Sequence, residues 1–428
     1  MFAKLCNKVN TKIILNQIYM TSNNILFIII AFIIIEFIFN KVLDFLNNRN
    51  RKEDVPKEML DYYDQEKYLK SAKYHKEKGK VSFMQSIIST GLIIGILIFG
   101  FFGILDTYLS AFIETSFVKA VVFFGVITII NEIISIPFSI YDVFVIEEKY
   151  GFNKTTVKIF ILDKLKGYLL IIILGGGFLY LAIFIIETFE SGYWFYLWLA
   201  VTVFMLLLNM FYADIILPLF NKLSPLENSE LRTEIEKYAK KVGYNLKNIF
   251  IIDGSKRSTK ANAFFSGIGP KKTIALYDTL VEKQTSQEIT AVLAHEIGHF
   301  KKKHILSSMI ISIIQTGITV YLLELFLTYP QVSEALGATS PSFHIGIIAF
   351  SLVFSPIALI IGVIMNVISR KNEFEADEFA KQTYNGKALA TSLKKLSVDS
   401  LANLYPHKAY VFVHYSHPPI LERLSRLK

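Results

Sequence analysis

The chain has 428 residues, of which 53% are hydrophobic and only 19% are charged, and its mean hydropathy is +0.43. Disorder is excluded, because a disordered chain combines low hydrophobicity with high charge. A water-soluble enzyme carries about 25% charged residues, so the composition, with its apolar residues in blocks, indicates a membrane protein. The single cysteine, Cys6, excludes an internal disulfide framework and a zinc site built from cysteines.

Seven apolar runs are long enough to cross a bilayer, which takes about 20 residues. They cover roughly residues 25–46, 84–105, 117–141, 166–187, 193–217, 305–329 and 345–368. No small-residue cleavage site clearly ends the first run, so we interpret it as a retained span and not as a signal peptide. Some runs contain carboxylates, such as Glu132 and Asp214. Such groups either face a bundle interior or cavity or lie near the ends of the spans.

The segments between these runs alternate in charge. The basic segments are 47–83, with ten Lys or Arg, 142–165, 218–304 and the tail 369–428. The segments without Lys or Arg are 106–116, 188–192 and 330–344. The positive-inside rule therefore predicts that the N-terminus lies outside and the C-terminus in the cytosol. Lys4, Lys8 and Lys12 are the one feature that disagrees. The net charge of +9 thus indicates orientation in the membrane and no nucleic-acid partner.

The sequence predicts a mainly α, polytopic membrane protein in four parts. These are residues 1–217, with five spans and their loops; 218–304, a part that looks soluble; 305–368, with spans six and seven; and the C-terminal region 369–428. Within the second part, the stretch from Ser229 to Val242 is polar and amphipathic. The runs from Asn248 to Ile252 and from Thr273 to Leu276 have β-like composition. We therefore expect a small β element before the sixth span.

The sharpest motif is a His-Glu-x-x-His sequence that begins at His295. Residues four apart on a helix share a face, so His295 and His299 can hold one metal ion. Glu296 then lies beside the ion, where it can accept a proton from bound water. Thr285 and Glu288 have the spacing of a capping box, which predicts that a helix begins there. This setting favours a zinc site over a pair of surface histidines near the membrane.

A catalytic zinc commonly takes a third protein ligand, which here must be His, Glu or Asp. The best cluster follows the seventh run, where Glu373 and Asp377 are four residues apart and share a helix face. Glu375 falls on a different face. We expect Glu373 to be the ligand and Asp377 to support a histidine from outside the ligand set. The alternative is a solvated acidic first turn of a helix.

Other histidines lie outside the motif. His304 lies just past the histidine motif, at the entry to the sixth run, and is predicted to be interfacial, while His75 and His344 are predicted to be solvated in loops. His417 precedes two prolines that fix the backbone. A histidine or arginine held near zinc can stabilise the oxyanion of a tetrahedral intermediate. His417 and Arg423 are therefore candidates for that role, and the alternative is a packing motif at the C-terminus.

Several further blocks of sequence are distinctive. They are Val55 to Lys57, Phe144 to Lys154, Pro218 to Leu223 with Pro225 to Glu227, Ser255 to Ser258 and Asn262 to Gly267. With the histidine motif, they resemble the type I CAAX prenyl endopeptidases, the integral-membrane zinc proteases that process farnesylated a-factor in yeast and prelamin A in animals. The resemblance extends over nearly the whole chain.

The resemblance implies a fold and a set of roles. Seven helices would enclose a large water-filled chamber, with the zinc site facing inward and the metalloprotease domain facing the cytosol. The implied residues are the ligands His295, His299 and Glu373 of one Zn²⁺ per chain, the general base Glu296, the supporting Asp377, and His417 and Arg423 on the substrate carbonyl or oxyanion.

The resemblance also implies a reaction and a substrate. The last three residues of a prenylated CAAX tail would be removed, in some members with a second cut upstream. We expect the peptide to add as a β-strand along an edge near Asn262, Ala263 and Phe264. The partners would be the prenylated substrate and the lipid bilayer. Because the tail has no dilysine retrieval signal, the compartment follows the source: the endoplasmic reticulum membrane in a eukaryote, the plasma membrane in a bacterium.

Two other classes of protein share part of this pattern. A broad-specificity membrane quality-control zinc protease of the heat-shock type would have the histidine motif and Glu373. It should have fewer spans and should lack the signature from Glu147 to Lys154. A transporter or receptor with a structural metal site would use intramembrane charges such as Glu132 and Asp214. That reading gives Glu296 no purpose.

The charge pattern makes a testable prediction about topology. In a Cys6→Ser background, a Ser400→Cys reporter should react with an impermeant thiol reagent only from the cytosolic side, and a Ser340→Cys reporter only from the opposite side. The reason is that Ser400 lies in the basic tail and Ser340 in a segment without Lys or Arg. Labelling of Ser340→Cys from the cytosol would overturn the seven-span topology.

Overall fold

The computed structural model describes residues 21–189, 191–246, 248–266 and 273–428, and at 264–266 the description is of the backbone alone. The sequence predictions that rest on Lys4, Cys6, Lys8, Lys12 and Gly267 lie outside the described residues.

The first half of the described chain is helical. Its helices are α1 Ser22–Arg49, α2 Gln65–Ile98, α3 Phe101–Ser110, α4 Ser116–Glu147, α5 Val157–Thr188 and α6 Tyr193–Phe220. All except α3 are long and apolar enough to cross a membrane. Three of them contain a π-helical turn, at Asp142–Glu147, Ile171–Gly175 and Tyr212–Ile216. Such turns are rare and often lie at functional sites.

The predicted second span, 84–105, is wrong at its end. Helix α2 stops at Ile98, and Gly100 adopts a left-handed conformation (φ 61°) before α3 begins. Gly103 then packs directly on the turn at Gly337, where a Cβ on Gly103 would lie 1.8 Å from the Gly337 oxygen. The apolar run continues across the break because both helices are apolar, so hydropathy alone does not reveal the break.

A four-stranded sheet follows the fifth span, with strand order β1-β2-β4-β3. The strands are β1 Leu223–Pro225, β2 Asn248–Ile252, β3 Ala263–Ser266 and β4 Thr273–Tyr277. The two runs with β-like composition are β2 and β4, which pair in parallel at the centre. Strand β3 pairs antiparallel with β4. Its other side has no strand partner within the described residues, so β3 is an edge strand.

The second half of the chain contains two more spans and the helices around them. The helices are α7 Glu230–Lys241 between β1 and β2, then α8 Asp278–Lys283, α9 Ser286–Lys301, α10 His304–Leu327, α11 Pro330–Glu334, α12 Phe343–Ala380, α13 Gly386–Asp399, α14 Lys408–His414 and α15 Ile420–Leu427. Helices α10 and α12 bring the number of candidate spans in the described residues to seven, as predicted. The capping box that begins α9 is present, with Thr285 and Glu288 bonded reciprocally.

A buried apolar core joins the sheet to α9, the helix that carries the histidine motif. It contains Ile274 and Leu276 of β4, Ile235 of α7, and Ile289 and Leu293 of α9, all almost completely buried. The spans are packed differently. In the apolar stretch of each span, only 6–17% of the residues are buried inside the protein. Apolar surface of this extent requires lipid around it. The protein therefore has a well-packed sheet-and-helix part on a sparsely packed bundle of membrane helices.

Candidate metal centre and active site

The histidine helix α9 and the long helix α12 meet at two small residues. A Cβ on Gly298 would lie 3.1 Å from the Cα of Ala376, closer than ordinary packing permits. A larger residue at that position of α9 would require the α12 backbone to shift by a few tenths of an ångström. Glu373 lies about one turn before Ala376 on α12, so the close approach places its carboxylate beside the histidines of α9.

Three side chains converge between these helices. His295, His299 and Glu373 each offer one atom, and these atoms lie within 4.8 Å of one another. His295 Nε2 is 3.4 Å from Glu373 Oε2, and His299 Nε2 is 3.2 Å from Glu373 Oε1. The two Nε2 atoms are 3.2 Å apart. Three side chains that each bring one ligand atom to a common point could hold a metal ion.

The residues present fit a metal ion such as zinc. Glu373 Oε2 is buried and accepts no hydrogen bond in the described residues, although a buried carboxylate oxygen needs one. Its neighbours are Arg423 Nη1 at 3.3 Å and His295 Nε2 at 3.4 Å. A bound cation would satisfy this oxygen. Two imidazoles and one carboxylate also match a common ligand set of catalytic zinc, which leaves the fourth position for water or substrate.

His295 is supported from behind by a buried ion pair. Its Nδ1 is 2.9 Å from Asp377 Oδ1, which leaves Nε2 to face the metal position. Arg423 holds Asp377 with two hydrogen bonds of 2.6 and 2.8 Å. Burial lowers the pKa of His295, but the hydrogen bonds to Asp377 and Glu373 outweigh burial and raise that pKa to about 9. The field that favours a proton at His295 also favours a metal cation there.

His299 has a supporting partner that the sequence did not indicate. His304 Nδ1 is 3.1 Å from His299 Nδ1, and His304 Nε2 is 3.2 Å from a Glu375 oxygen. The pattern assigns a chain in which His299 donates to His304 and His304 donates to Glu375. His304 lies at the start of the sixth candidate span, where the sequence placed it, but it is buried and its contact with His299 was not predicted. Lys303 is the reason: its left-handed backbone (φ 60°) turns the chain between α9 and α10.

Glu296 and His417 lie at the edge of the ligand cluster. Glu296 is half-buried next to His295 in α9. His417 Nε2 is 3.4 Å from Glu373 Oε1, and its side chain is 66% exposed. His417 is therefore near the metal position and open to solvent, and Glu296 directly follows a predicted ligand in α9. Their catalytic roles stay predictions.

Arg423 is placed differently from His417. It is only 7% exposed, and its Nη1 lies 3.3 Å from Glu373 Oε2. Burial lowers the pKa of Arg423, but Asp377, Glu373 and Glu296 together raise it. Three carboxylates thus surround this guanidinium. Its position favours holding the ligand carboxylates over contacting a substrate oxyanion.

The three predicted substrate-binding residues lie at the start of the edge strand. Asn262 is exposed, and its Oδ1 accepts a hydrogen bond from the Ala263 amide. Ala263 and Phe264 pair with Leu276 and Ala275 of β4. Their backbone therefore forms part of the open edge where a peptide strand could add.

Two other histidines were wrongly predicted to be solvated in loops. His75 lies within α2 and bonds the Leu401 carbonyl at 2.7 Å. His344 lies in the first turn of α12, 2% exposed, and its Nε2 is 2.7 Å from Asp106 Oδ1. His344 is at the opposite end of α12 from Glu373, so it belongs to the other face of the bundle.

A bundle of membrane helices with a His-Glu-x-x-His helix and a third carboxylate defines a membrane metalloprotease. Comparison with known families agrees. Residues 44–222 match the model for the CAAX prenyl protease N-terminal part, five membrane helices, and residues 225–428 match peptidase family M48. The chain belongs to the CAAX prenyl protease 1 family of M48 peptidases. The predicted family and enzyme class are thereby confirmed.

Relatives match over most of their length. The chain is 35% identical to "Probable CAAX prenyl protease 1" of Schizosaccharomyces pombe, over 88% of this chain and 82% of that protein. It is 31% identical to the human "CAAX prenyl protease 1 homolog", over 90% and 92%. The crystal structure of S. mikatae Ste24p aligns with a TM-score of 0.89 at 32% identity, over 94% of this chain and 99% of that one.

The site geometry predicts how single carboxylates contribute to metal binding. Glu373→Ala should lower metal affinity by more than the ~10–100-fold that loss of an outer support costs, because it removes a ligand. Metal content of the purified protein after dialysis against a chelator measures this.

Glu378→Ala is the matched control, since Glu378 is exposed on the same helix and accepts only from Gln382 among the described residues. Glu375 is unsuitable as a neutral control because it contacts His304. Full metal retention in Glu373→Ala would exclude Glu373 as the third ligand.

Proposed function

We propose that this protein is a zinc-dependent endopeptidase that removes the C-terminal tripeptide of prenylated CAAX proteins, with a second upstream cut in some substrates. The observation that carries the proposal is the convergence of ligand atoms of His295, His299 and Glu373 within 4.8 Å of one another in a chain of this family. The names of the relatives, CAAX prenyl proteases over most of their length, support the substrate class.

The proposed chemistry divides between the ion and the chain. A zinc ion held by His295, His299 and Glu373 would polarise the scissile carbonyl and lower the pKa of a water molecule towards ~7. Glu296 accepts a proton from the attacking water and passes it to the nitrogen of the leaving amine. Water thus adds across the amide, and the proton that Glu296 takes is the one that it returns.

The remaining site residues act on orientation and charge. His417, exposed and 3.4 Å from Glu373, can donate a hydrogen bond to the carbonyl oxygen as negative charge develops on it. Asp377 fixes the ring of His295, and Arg423 fixes Asp377. We therefore assign Arg423 to the support of the ligands, since its buried position supports that role.

The proposed binding mode is addition of the peptide to strand β3. The backbone of Asn262, Ala263 and Phe264 would pair with the substrate, which tolerates varied side chains because main-chain groups make the contacts. Only 6–17% of the residues in the apolar stretches of the spans are buried inside the protein. This low burial supports an arrangement in which the helices face lipid on one side and a chamber on the other. In that chamber the prenyl chain would lie.

We infer the location from the charge pattern. The basic segments put the active site on the cytosolic side. In a eukaryotic cell the membrane would be that of the endoplasmic reticulum, and in a bacterium the plasma membrane. Helices α10 and α12 run antiparallel, so His295, before α10, and Glu373, towards the end of α12, reach the same side.

The role of Glu296 can be tested without changing the ligands. Glu296→Gln should keep zinc at the wild-type level but lose about 10²–10⁴-fold in cleavage rate, because an amide cannot accept the proton. Metal content and peptide turnover are measured on the same preparation. Near-normal turnover with stoichiometric zinc would remove Glu296 from the mechanism.

The substrate class can be tested with a matched pair of peptides. Purified wild-type protein should cleave a farnesylated CAAX peptide and release its last three residues, and should cleave the unprenylated twin far more slowly. Mass spectrometry identifies the products, and a chelator should abolish the reaction. Equal cleavage of both peptides at scattered bonds would favour the quality-control protease.

A further inference from the structure

Glu147 is the centre of a polar cluster outside the metal site. It ends the π-helical turn of α4, and its side chain is 14% exposed. It accepts hydrogen bonds from Tyr74 at 2.6 Å, from Lys78 at 2.9 Å and from Lys260 at 2.7 Å. One carboxylate thus holds two ammonium groups and a phenol, and the proposed chemistry uses none of the four.

Lys260 is the member of this cluster that lies in the sheet region, between strands β2 and β3. It precedes the edge strand β3 by three residues, and its carbonyl accepts from Thr279 Oγ1 at 3.1 Å. Its ammonium lies 4.2 Å from the ring centre of Phe152, a cation–π distance. Lys260 is therefore held at its backbone carbonyl and at its ammonium group, and the chain leads from it directly into the strand.

The backbone on both sides of this contact is joined as well. Thr259 donates to the Phe152 carbonyl at 3.0 Å, and Lys154 donates to the Arg257 carbonyl at 3.0 Å. Arg257 in turn makes a bidentate pair with Asp163 of α5 at 2.7 and 2.8 Å. The segment that enters β3 is thus attached to the ends of two membrane helices, α4 and α5.

We propose that Glu147 is a positioning residue, which through Lys260 fixes the edge strand β3 relative to the membrane helices and so sets the peptide bond that reaches the metal. The inference rests on the proposed function, in which the prenyl chain lies among the spans and the peptide lies on β3. A substrate held at both places is cut at a bond determined by the distance between them. The Glu147–Lys260 contact joins the two holding elements.

Charge-neutral variants of nearly unchanged size test this role. Glu147→Gln and Lys260→Met should each lower kcat/KM for a farnesylated CAAX peptide on the order of 10- to 100-fold, since small misplacements of reacting groups have effects of this size. They should also yield products cut at neighbouring bonds, which mass spectrometry detects. Zinc content should stay at the wild-type level. The double variant should lose no more than the worse single variant, because both changes break one contact.

Two control variants isolate the contact. Glu148→Gln changes the adjacent exposed carboxylate, which accepts from Asn153, and Asp142→Asn removes the other partner of Lys78. Neither touches Lys260, so both should cut at the normal bond with normal kcat/KM.

The outcomes separate this inference from the proposed function. If the wild-type protein does not cleave the farnesylated peptide, the proposed function is wrong. The variants are then compared on a peptide that the wild type does cleave. Unchanged kcat/KM and a single normal product in both Glu147→Gln and Lys260→Met overturn the positioning role. Loss of zinc or aggregation in both variants also overturns it, because the cluster would then serve folding alone.

Discussion

The contact between Gly298 and Ala376 is the constraint on which the metal site depends. Metal–ligand distances tolerate deviations of about 0.2 Å, whereas a Cβ on Gly298 would meet the α12 backbone at 3.1 Å and push the helices apart. Because the spans α10 and α12 run antiparallel, α9, which precedes α10, and the C-terminal part of α12 lie at the same end of the bundle. The predicted ligands therefore come from two different helices. His299 and Glu373 are 74 positions apart in the sequence, and two small residues allow their helices to come into contact.

The buried charges around this contact balance one another. Removing an ion from water costs several kcal/mol unless it is paired and hydrogen-bonded. Arg423 lies within 3.3 Å of both Asp377 and Glu373, and His295 lies within 3.4 Å of the same two carboxylates. Arg423 comes from α15, the last helix of the chain. The C-terminal region is thus part of the site, because it closes the back of the ligand cluster.

Features with a local signal were predictable from the sequence, and features that depend on distant partners were not. Hydropathy indicated the spans, the capping box indicated the start of α9, and helical spacing separated Glu373 from Glu375. The contacts of His75 and His344 were not predictable, because their partners lie 326 and 238 residues away. The role of His304 depends on a left-handed lysine, which sequence patterns do not favour. The roles of the site residues remain predictions.

The bundle is tied at its two ends and is sparsely packed between them. At the end opposite the metal, Asp106 lies 2.7 Å from His344 and 3.6 Å from Lys119, and Gly103 packs on Gly337. At the metal end, Glu147 joins α2 and α4 to the sheet. Buried apolar clusters also join the spans, among them one with Ile29, Leu97, Phe123 and Ile345. Because most of each span is not buried inside the protein, the polar ties at the ends add to these clusters in preserving the spacing on which the candidate metal site and the proposed substrate strand both depend.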